Sequence, residues 1–205
     1  MSNPVEFDVE SLTVGFANSD LSPVEVAQAC LDAISEINPA LNAFTDFDAD
    51  SALAQAKSSE FRWRLGTPLG RLDGIPVAIK DTMAMRGWQT RKGSLQTVDA
   101  AEETQDAPAV ARLRDGGAVF LGKTTTPEFG WKGVGDSPLT GLTRNPWDQQ
   151  RTTGGSSAGS AAAVATGMTV LATGTDGGGS VRMPAAFYGI FGLQPRFSVM
   201  PVFPP

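Results

Sequence analysis

A chain of 205 residues can build one substantial core and by size needs no second domain. Hydrophobic residues at 41% and charged residues at 19% fit a soluble globular protein, and a formal net charge of -6 argues against nucleic-acid partners, whose phosphates require clustered Lys and Arg. The chain has no histidine and a single cysteine, Cys30, which excludes a Ser-His-Asp triad, a Cys-His pair, histidine-bearing zinc sites and an internal disulfide.

The opening segment, Met1 to Glu10, carries acidic residues and no apolar h-region, so it does not read as a secretory signal. No apolar run approaches the ~20 residues that span a bilayer. A cytoplasmic protein without a membrane partner is the expectation. Ser22-Pro23-Val24-Glu25 matches a capping box with proline at the first helical position, and Val26, Ala27, Cys30, Leu31 and Ile34 recur at helical spacing behind it. Cys30 then falls on the apolar side as a core thiol, and Asn38-Pro39 is expected to end the helix. A second helix is expected over 50–59, followed by a turn at Gly66-Thr67-Pro68-Leu69-Gly70. Residues 1–66 thus read as a helical packing layer. Arg62-Trp63-Arg64, the densest basic spot, is too small for a polyanion.

After Asp73-Gly74 the pattern turns to alternation over 75–80, with Ile75, Val77 and Ile79 on one face and Ala78 and Lys80 on the other. Lys80 ends this strand. A short helix over 107–114 closes at Gly116-Gly117 and leads into an apolar strand over 118–121, so the order strand, helix, strand implies α/β construction. A long irregular tract with Gly130, Gly133, Gly135, Pro138, Gly141 and Pro146 follows. Residues 157–166 are small enough to form a helix close against a sheet. Residues 170–173 read as a buried strand.

Two glycine-serine loops frame that last helix and strand: Gly154-Gly155-Ser156-Ser157-Ala158-Gly159-Ser160 and Gly174-Thr175-Asp176-Gly177-Gly178-Gly179-Ser180. A serine hydroxyl becomes a useful nucleophile only when a base takes its proton, and without imidazole the main remaining base is lysine. Gly177, Gly178 and Gly179 carry no side chains just before Ser180, so backbone N–H groups there can approach a substrate carbonyl and, with the N–H of Ser180, form an oxyanion hole. Plainer readings stay open for each piece taken alone. The triglycine can be a tight turn with Ser180 as a helix cap, Ser156 or Ser157 can be an N-cap, and Lys80 can be an ordinary solvated lysine. A phosphate-binding loop is disfavoured because no Lys-Ser or Lys-Thr pair follows.

Taken together the segments resemble the amidase signature family. The resemblance runs from the N-terminal helix to Ala185-Ala186-Phe187-Tyr188-Gly189. It is carried by Lys80-Asp81, Gly122-Lys123-Thr124, Arg144-Asn145-Pro146-Trp147-Asp148, both serine loops, and Ser180-Val181-Arg182-Met183-Pro184-Ala185-Ala186, in the family's order. Ala158 stands where the family often has glycine, and Gly177 where threonine is common. Neither change removes a reacting group.

The resemblance implies a single α/β domain over 1–205 with a mixed sheet flanked by helices, truncated at its C-terminus relative to the family. It implies a Ser-Ser-Lys triad in which Ser180 attacks a carboxylic amide, Ser156 relays its proton toward Lys80, and the Gly155-Ser156 peptide is cis. Ser157, Asp176 and Arg182 match supporting positions, the substrate is a small-molecule amide, and no cofactor or metal is required. Lys80 must be neutral to act, so it should be buried, with Asp81 aimed away from it. Trp88, Phe129 and Trp131 are candidate pocket-lining residues, with core packing the simpler expectation for each. Two other functions remain in view: the transamidating subunit of a glutamine-dependent amidotransferase, and an inactive fragment that acts only in association. Because the chain stops at Phe203-Pro204-Pro205, unpaired strand edges, a homo-oligomer or a missing C-terminal half, and little activity of the isolated chain are expected.

Overall fold

The structure, a computed structural model, describes residues 8–201; most of the segment read as lacking a leader, and Phe203-Pro204-Pro205, lie outside them. No helix among the described residues is long and apolar enough to cross a membrane. The first elements among the described residues are α1 (Val9–Asn18) and α2 (Pro23–Leu41). The capping box at the start of α2 is formed: Ser22 Oγ accepts the N–H groups of Val24 and Glu25 at 3.0 and 3.3 Å, and Glu25 accepts the Ser22 N–H at 2.8 Å. The helix does not end at Asn38-Pro39. It continues one turn further, because Asn38 Oδ1 receives the N–H groups of Ala43 and Phe44, both at 2.8 Å, and the Asn38 carbonyl receives that of Asn42. Asn42, at φ 55°, closes the turn in the left-handed region.

The layer over 1–66 is not purely helical. Phe44–Phe47 forms β1 ahead of α3 (Ala49–Arg64), a four-residue strand too short for its alternation to stand out. The basic spot at the end of α3 serves the fold: Arg62 donates to Asp73 at 2.8 and 2.6 Å, and Trp63 Nε1 donates to the Asp73 carbonyl at 3.0 Å. Then come β2 (Pro76–Lys80), α4 (Pro108–Asp115), β3 (Val119–Thr124), a small hairpin of β4 (Asp136–Ser137) and β5 (Gly141–Leu142), α5 (Ala158–Ala165), β6 (Leu171–Ala172) and α6 (Arg182–Tyr188). The main sheet has the order β1-β3-β2-β6, with β2 parallel to both neighbours and β1 antiparallel to β3. It is the mixed sheet flanked by helices that the family resemblance implies.

The central strand β2 is buried on both faces. Ala78 shares a cluster with Cys30, Ile34, Leu121, Ala162 and Met168, while Val77 and Ile79 pack with Val110 and Phe120 on the other side. Within the first cluster Cys30 is a core thiol, its pKa pushed up to about 12 by burial. Strand β6 departs from expectation. It is half-buried and, among the described residues, pairs on one side only, so the second glycine loop leaves from a sheet edge instead of an interior strand.

The small-residue helix α5 lies tightly on the sheet. A Cβ on Gly159 would overlap the Ala43 carbonyl oxygen and Thr125 Oγ1, and the Gly159 N–H donates to the Thr125 carbonyl at 3.2 Å. Gly159→Ala is therefore expected to lower stability by about 1–3 kcal/mol, as overpacking does, and urea denaturation measures it. Apolar side chains at Phe191, Leu193 and Phe197 are exposed, and Phe191 lines a surface cavity with Leu171 and Ala172 of β6. The 205-residue protein alone is expected to self-associate, giving a species heavier than the monomer in sedimentation at rising concentration.

Candidate active site

Lys80 ends β2 with its side chain directed to the α5 side, and it is fully buried. Its backbone N–H donates to Thr173 Oγ1 at 3.0 Å. Its Nζ lies 2.7 Å from Ser156 Oγ and 2.7 Å from Thr175 Oγ1. Burial strips water from the ammonium and pulls its pKa down to about 7, with Asp176 acting in the opposite direction. An amine near that value is a substantial proton acceptor at neutral pH.

Asp81, next in the chain, faces elsewhere. Its Oδ1 lies 3.5 Å from Lys123 Nζ and accepts the Arg91 N–H at 3.3 Å, while burial pushes its carboxyl up. Lys123 is as buried as Lys80, yet it has this carboxylate and the Met83 carbonyl at 2.6 Å as partners. Of the two buried lysines, only Lys80 has no carboxylate within ion-pair distance among the described residues.

Ser156 is buried and follows a cis peptide bond from Gly155. The backbone of Gly130, at φ 68°, covers the contact; a Cβ there would sit 3.4 Å from Ser156 Oγ and 3.9 Å from Lys80 Nζ. Ser157 is not a side-chain cap for α5. Its N–H donates to the Ser180 carbonyl at 3.1 Å, and its hydroxyl meets the Thr175 N–H at 3.4 Å and the Thr175 carbonyl at 3.5 Å. These bonds hold the two serine loops side by side.

Ser180 is half-buried, and α6 begins beyond it at Arg182 with Val181 as the capping residue, so Ser180 is no helix cap. Among the described residues no hydrogen bond joins its hydroxyl to Ser156 or Lys80, a difference from the expected relay. Such bonds often tighten only with substrate in place. The loop before it is shaped by Asp176, whose carboxylate accepts the N–H groups of Gly179 (2.6 Å), Val181 (3.1 Å) and Arg182 (3.3 Å) and the Arg182 guanidinium at 3.0 Å twice. The Arg182 guanidinium, followed by those N–H groups, holds the Asp176 carboxyl far below the usual range. Of the four N–H groups expected to form an oxyanion hole, that of Gly179 donates to Asp176, while those of Gly177, Gly178 and Ser180 have no protein acceptor among the described residues.

Phe129 and Trp131 flank Gly130 and are 50% and 91% exposed, so core packing does not account for them; Trp88 is half-buried against the Val77–Ile79 side of the sheet. Thr175 is a site residue that the sequence pattern does not single out. The parallel pairing of Ala78 with Ala172 carries the chain beyond β2 and β6 in the same direction, and a reading of that pairing would have placed Thr175 beside Lys80. Fewer than three metal-ligating side chains gather anywhere among the described residues.

A family model described as amidase matches residues 25–204. The chain is 45% identical over 183 residues to the A subunit of glutamyl-tRNA(Gln) amidotransferase from Symbiobacterium thermophilum, covering 89% of this chain and 37% of that protein. It is 42% identical to an acylamidase of Rhodococcus erythropolis, covering 93% and 40%. Among solved structures, a peptide amidase in complex with the competitive inhibitor chymostatin superposes with a TM-score of 0.86 at 36% identity, over 93% of this chain and 40% of that one. A bacterial aryl acylamidase of the amidase signature family superposes at 0.83 and 34% identity, over 88% and 37%. The chain thus spans about 40% of the length of the relatives it matches.

Proposed function

The chain belongs to the amidase family, and on that premise we propose that it carries the reacting groups of a carboxylic-amide hydrolase, with Ser180 as nucleophile, Ser156 as proton relay and Lys80 as neutral base. The observation that carries the reading is the 2.7 Å contact between the buried Lys80 Nζ and Ser156 Oγ, made by an amine with no carboxylate partner among the described residues. The Ser180 hydroxyl gives its proton to Ser156 as its oxygen bonds to the amide carbon, and the Ser156 proton passes to Lys80 Nζ. The developing oxyanion takes the free N–H groups of Gly177, Gly178 and Ser180. When the C–N bond breaks, Lys80 returns the proton through Ser156 to the leaving amine. Water then attacks the Ser180 ester and gives its proton to the same relay, which returns a proton to Ser180 Oγ as the acyl C–O bond breaks and the carboxylic acid leaves. Nothing in this sequence calls for a cofactor.

Ser157, Asp176 and Arg182 are assigned supporting parts: Ser157 ties the loops together, and Asp176 with Arg182 gives the oxyanion loop its shape. A small-molecule amide with an apolar group suits the exposed Phe129 and Trp131 beside Gly130. The cytoplasm suits a chain with one buried thiol. Incubating the protein with ester and amide substrates and mapping the covalent adduct by mass spectrometry tests the reading; an acyl group on Ser180 supports it, and hydrolysis without that adduct opposes it. A second reading, a component of a glutamine-dependent amidotransferase, is favoured by the 45% identity to such a protein. Glutaminase activity that rises only with a partner and an acyl acceptor would select it.

A further inference from the structure

We infer that Thr175 is the positioning residue of the proposed base: its hydroxyl takes one N–H of Lys80 and so turns the amine lone pair toward Ser156. A neutral lysine has two N–H donors and one lone pair. Lys80 Nζ has two close oxygen partners, Ser156 Oγ and Thr175 Oγ1, both at 2.7 Å. If Ser156 is to hand its proton to the lone pair, Thr175 must be the acceptor of an Nζ–H. Without it, a buried amine can rotate about its Cε–Nζ bond and present N–H to Ser156, which reverses the needed bond.

Thr175 is itself fixed. The Ser157 hydroxyl bridges its backbone N–H and carbonyl at 3.4 and 3.5 Å, so Lys80, Ser156, Ser157 and Thr175 form a closed ring of covalent and hydrogen bonds. The Ser180 side chain is not in that ring, which means the base can be oriented before any nucleophile engages it. Thr175 also precedes Asp176, whose carboxylate gathers the oxyanion loop. One dipeptide therefore links the base to the loop that holds the oxyanion donors.

The charged groups near Lys80 leave the titration readable. Asp176, on the loop after β6, acts on it directly. Asp81 and Lys123, from the ends of β2 and β3, face each other; on the covering loop Lys132 pairs with Asp136, and Glu128 accepts the Ser94 hydroxyl. Helix α5 contributes no titratable side chain.

The inference rests on Lys80 being the base, and the test separates the two. In the folded protein, the rate of Ser180 modification by a fluorophosphonate is measured against pH for the parent, Thr175→Val, Thr175→Ser and Lys80→Ala. Thr175→Val is expected to slow the reaction about 10- to 100-fold, the scale of a lost hydrogen bond to a charged or reacting group. Its rising limb should also move to lower pH, because the hydroxyl favours the ammonium over the amine and its loss releases the proton more readily. Thr175→Ser should recover both rate and limb. If valine disturbs the fold by circular dichroism, Thr175→Ala takes its place. A parent-like rate and limb in the hydroxyl-less variant, a slow rate with an unmoved limb, or no recovery with serine would overturn the inference. Full labelling in Lys80→Ala would instead remove the base assignment beneath it.

Discussion

Ser180→Ala is expected to abolish amide turnover, by on the order of 10⁵-fold, and to leave no covalent adduct with an acylating probe. The loss is large because the proposed nucleophile and its relay would act as one unit, so removing the oxygen that would bond to carbon leaves only binding and oxyanion donors to accelerate the reaction. The substitution deletes one half-buried hydroxyl that has no hydrogen bond with Ser156 or Lys80, so the fold should be undisturbed. Circular dichroism and the denaturation midpoint should match the parent. Adduct formation that persists at another serine in Ser180→Ala would move the nucleophile elsewhere.

Lys80→Ala is expected to slow the reaction about 10²- to 10⁴-fold, the range supplied by a positioned base. Lys80→Arg should fail as well, since guanidinium stays protonated and cannot take the Ser156 proton. The pH dependence follows from the direction of the shift. Burial lowers the Lys80 pKa to about 7, so below that pH the amine is mostly charged and the rate falls tenfold per unit; above it the amine is free and the rate levels off. In Lys80→Ala that limb should vanish. A limb that survives unchanged would assign the titration to another group.

Much of this site could be read from residue types and order. The absence of histidine and the triglycine before Ser180 point to a lysine-assisted serine, and alternation places Lys80 at a strand end with Ala78 on its face. The small residues after Ser157 implied a helix held close to a sheet, which the contact of Gly159 with Ala43 bears out. What stayed hidden depended on long-range pairing. Asn38 accepts two N–H groups from beyond the helix, and that tertiary bond carries α2 past a proline that local propensity would treat as a stop. Strand β1 is specified by its partner β3 more than by its own four residues.

The two buried lysines show the same limit at the site itself. Lys80 and Lys123 both sit near the ends of buried strands, and while alternation turns Asp81 away from Lys80, nothing in the neighbours of Lys123 says that it receives that carboxylate. The structure separates them through the parallel register of β2 and β3, with Lys80 opposite Thr124 and Ile79 opposite Lys123, which turns Asp81 toward Lys123. Likewise, the triglycine suggested four oxyanion donors, but only the fold of the loop reveals that Asp176 takes the one from Gly179.

The central claim is that Lys80 is a neutral amine at working pH, and titrating it directly tests this. With lysine labelled by carbon-13 at Cε, NMR spectra across pH 5 to 11 are compared between the parent and Lys80→Arg to assign its signal. The account predicts a Lys80 resonance that titrates near pH 7, well below the other lysines. A Lys80 signal that holds its charged position to pH 10 would contradict it.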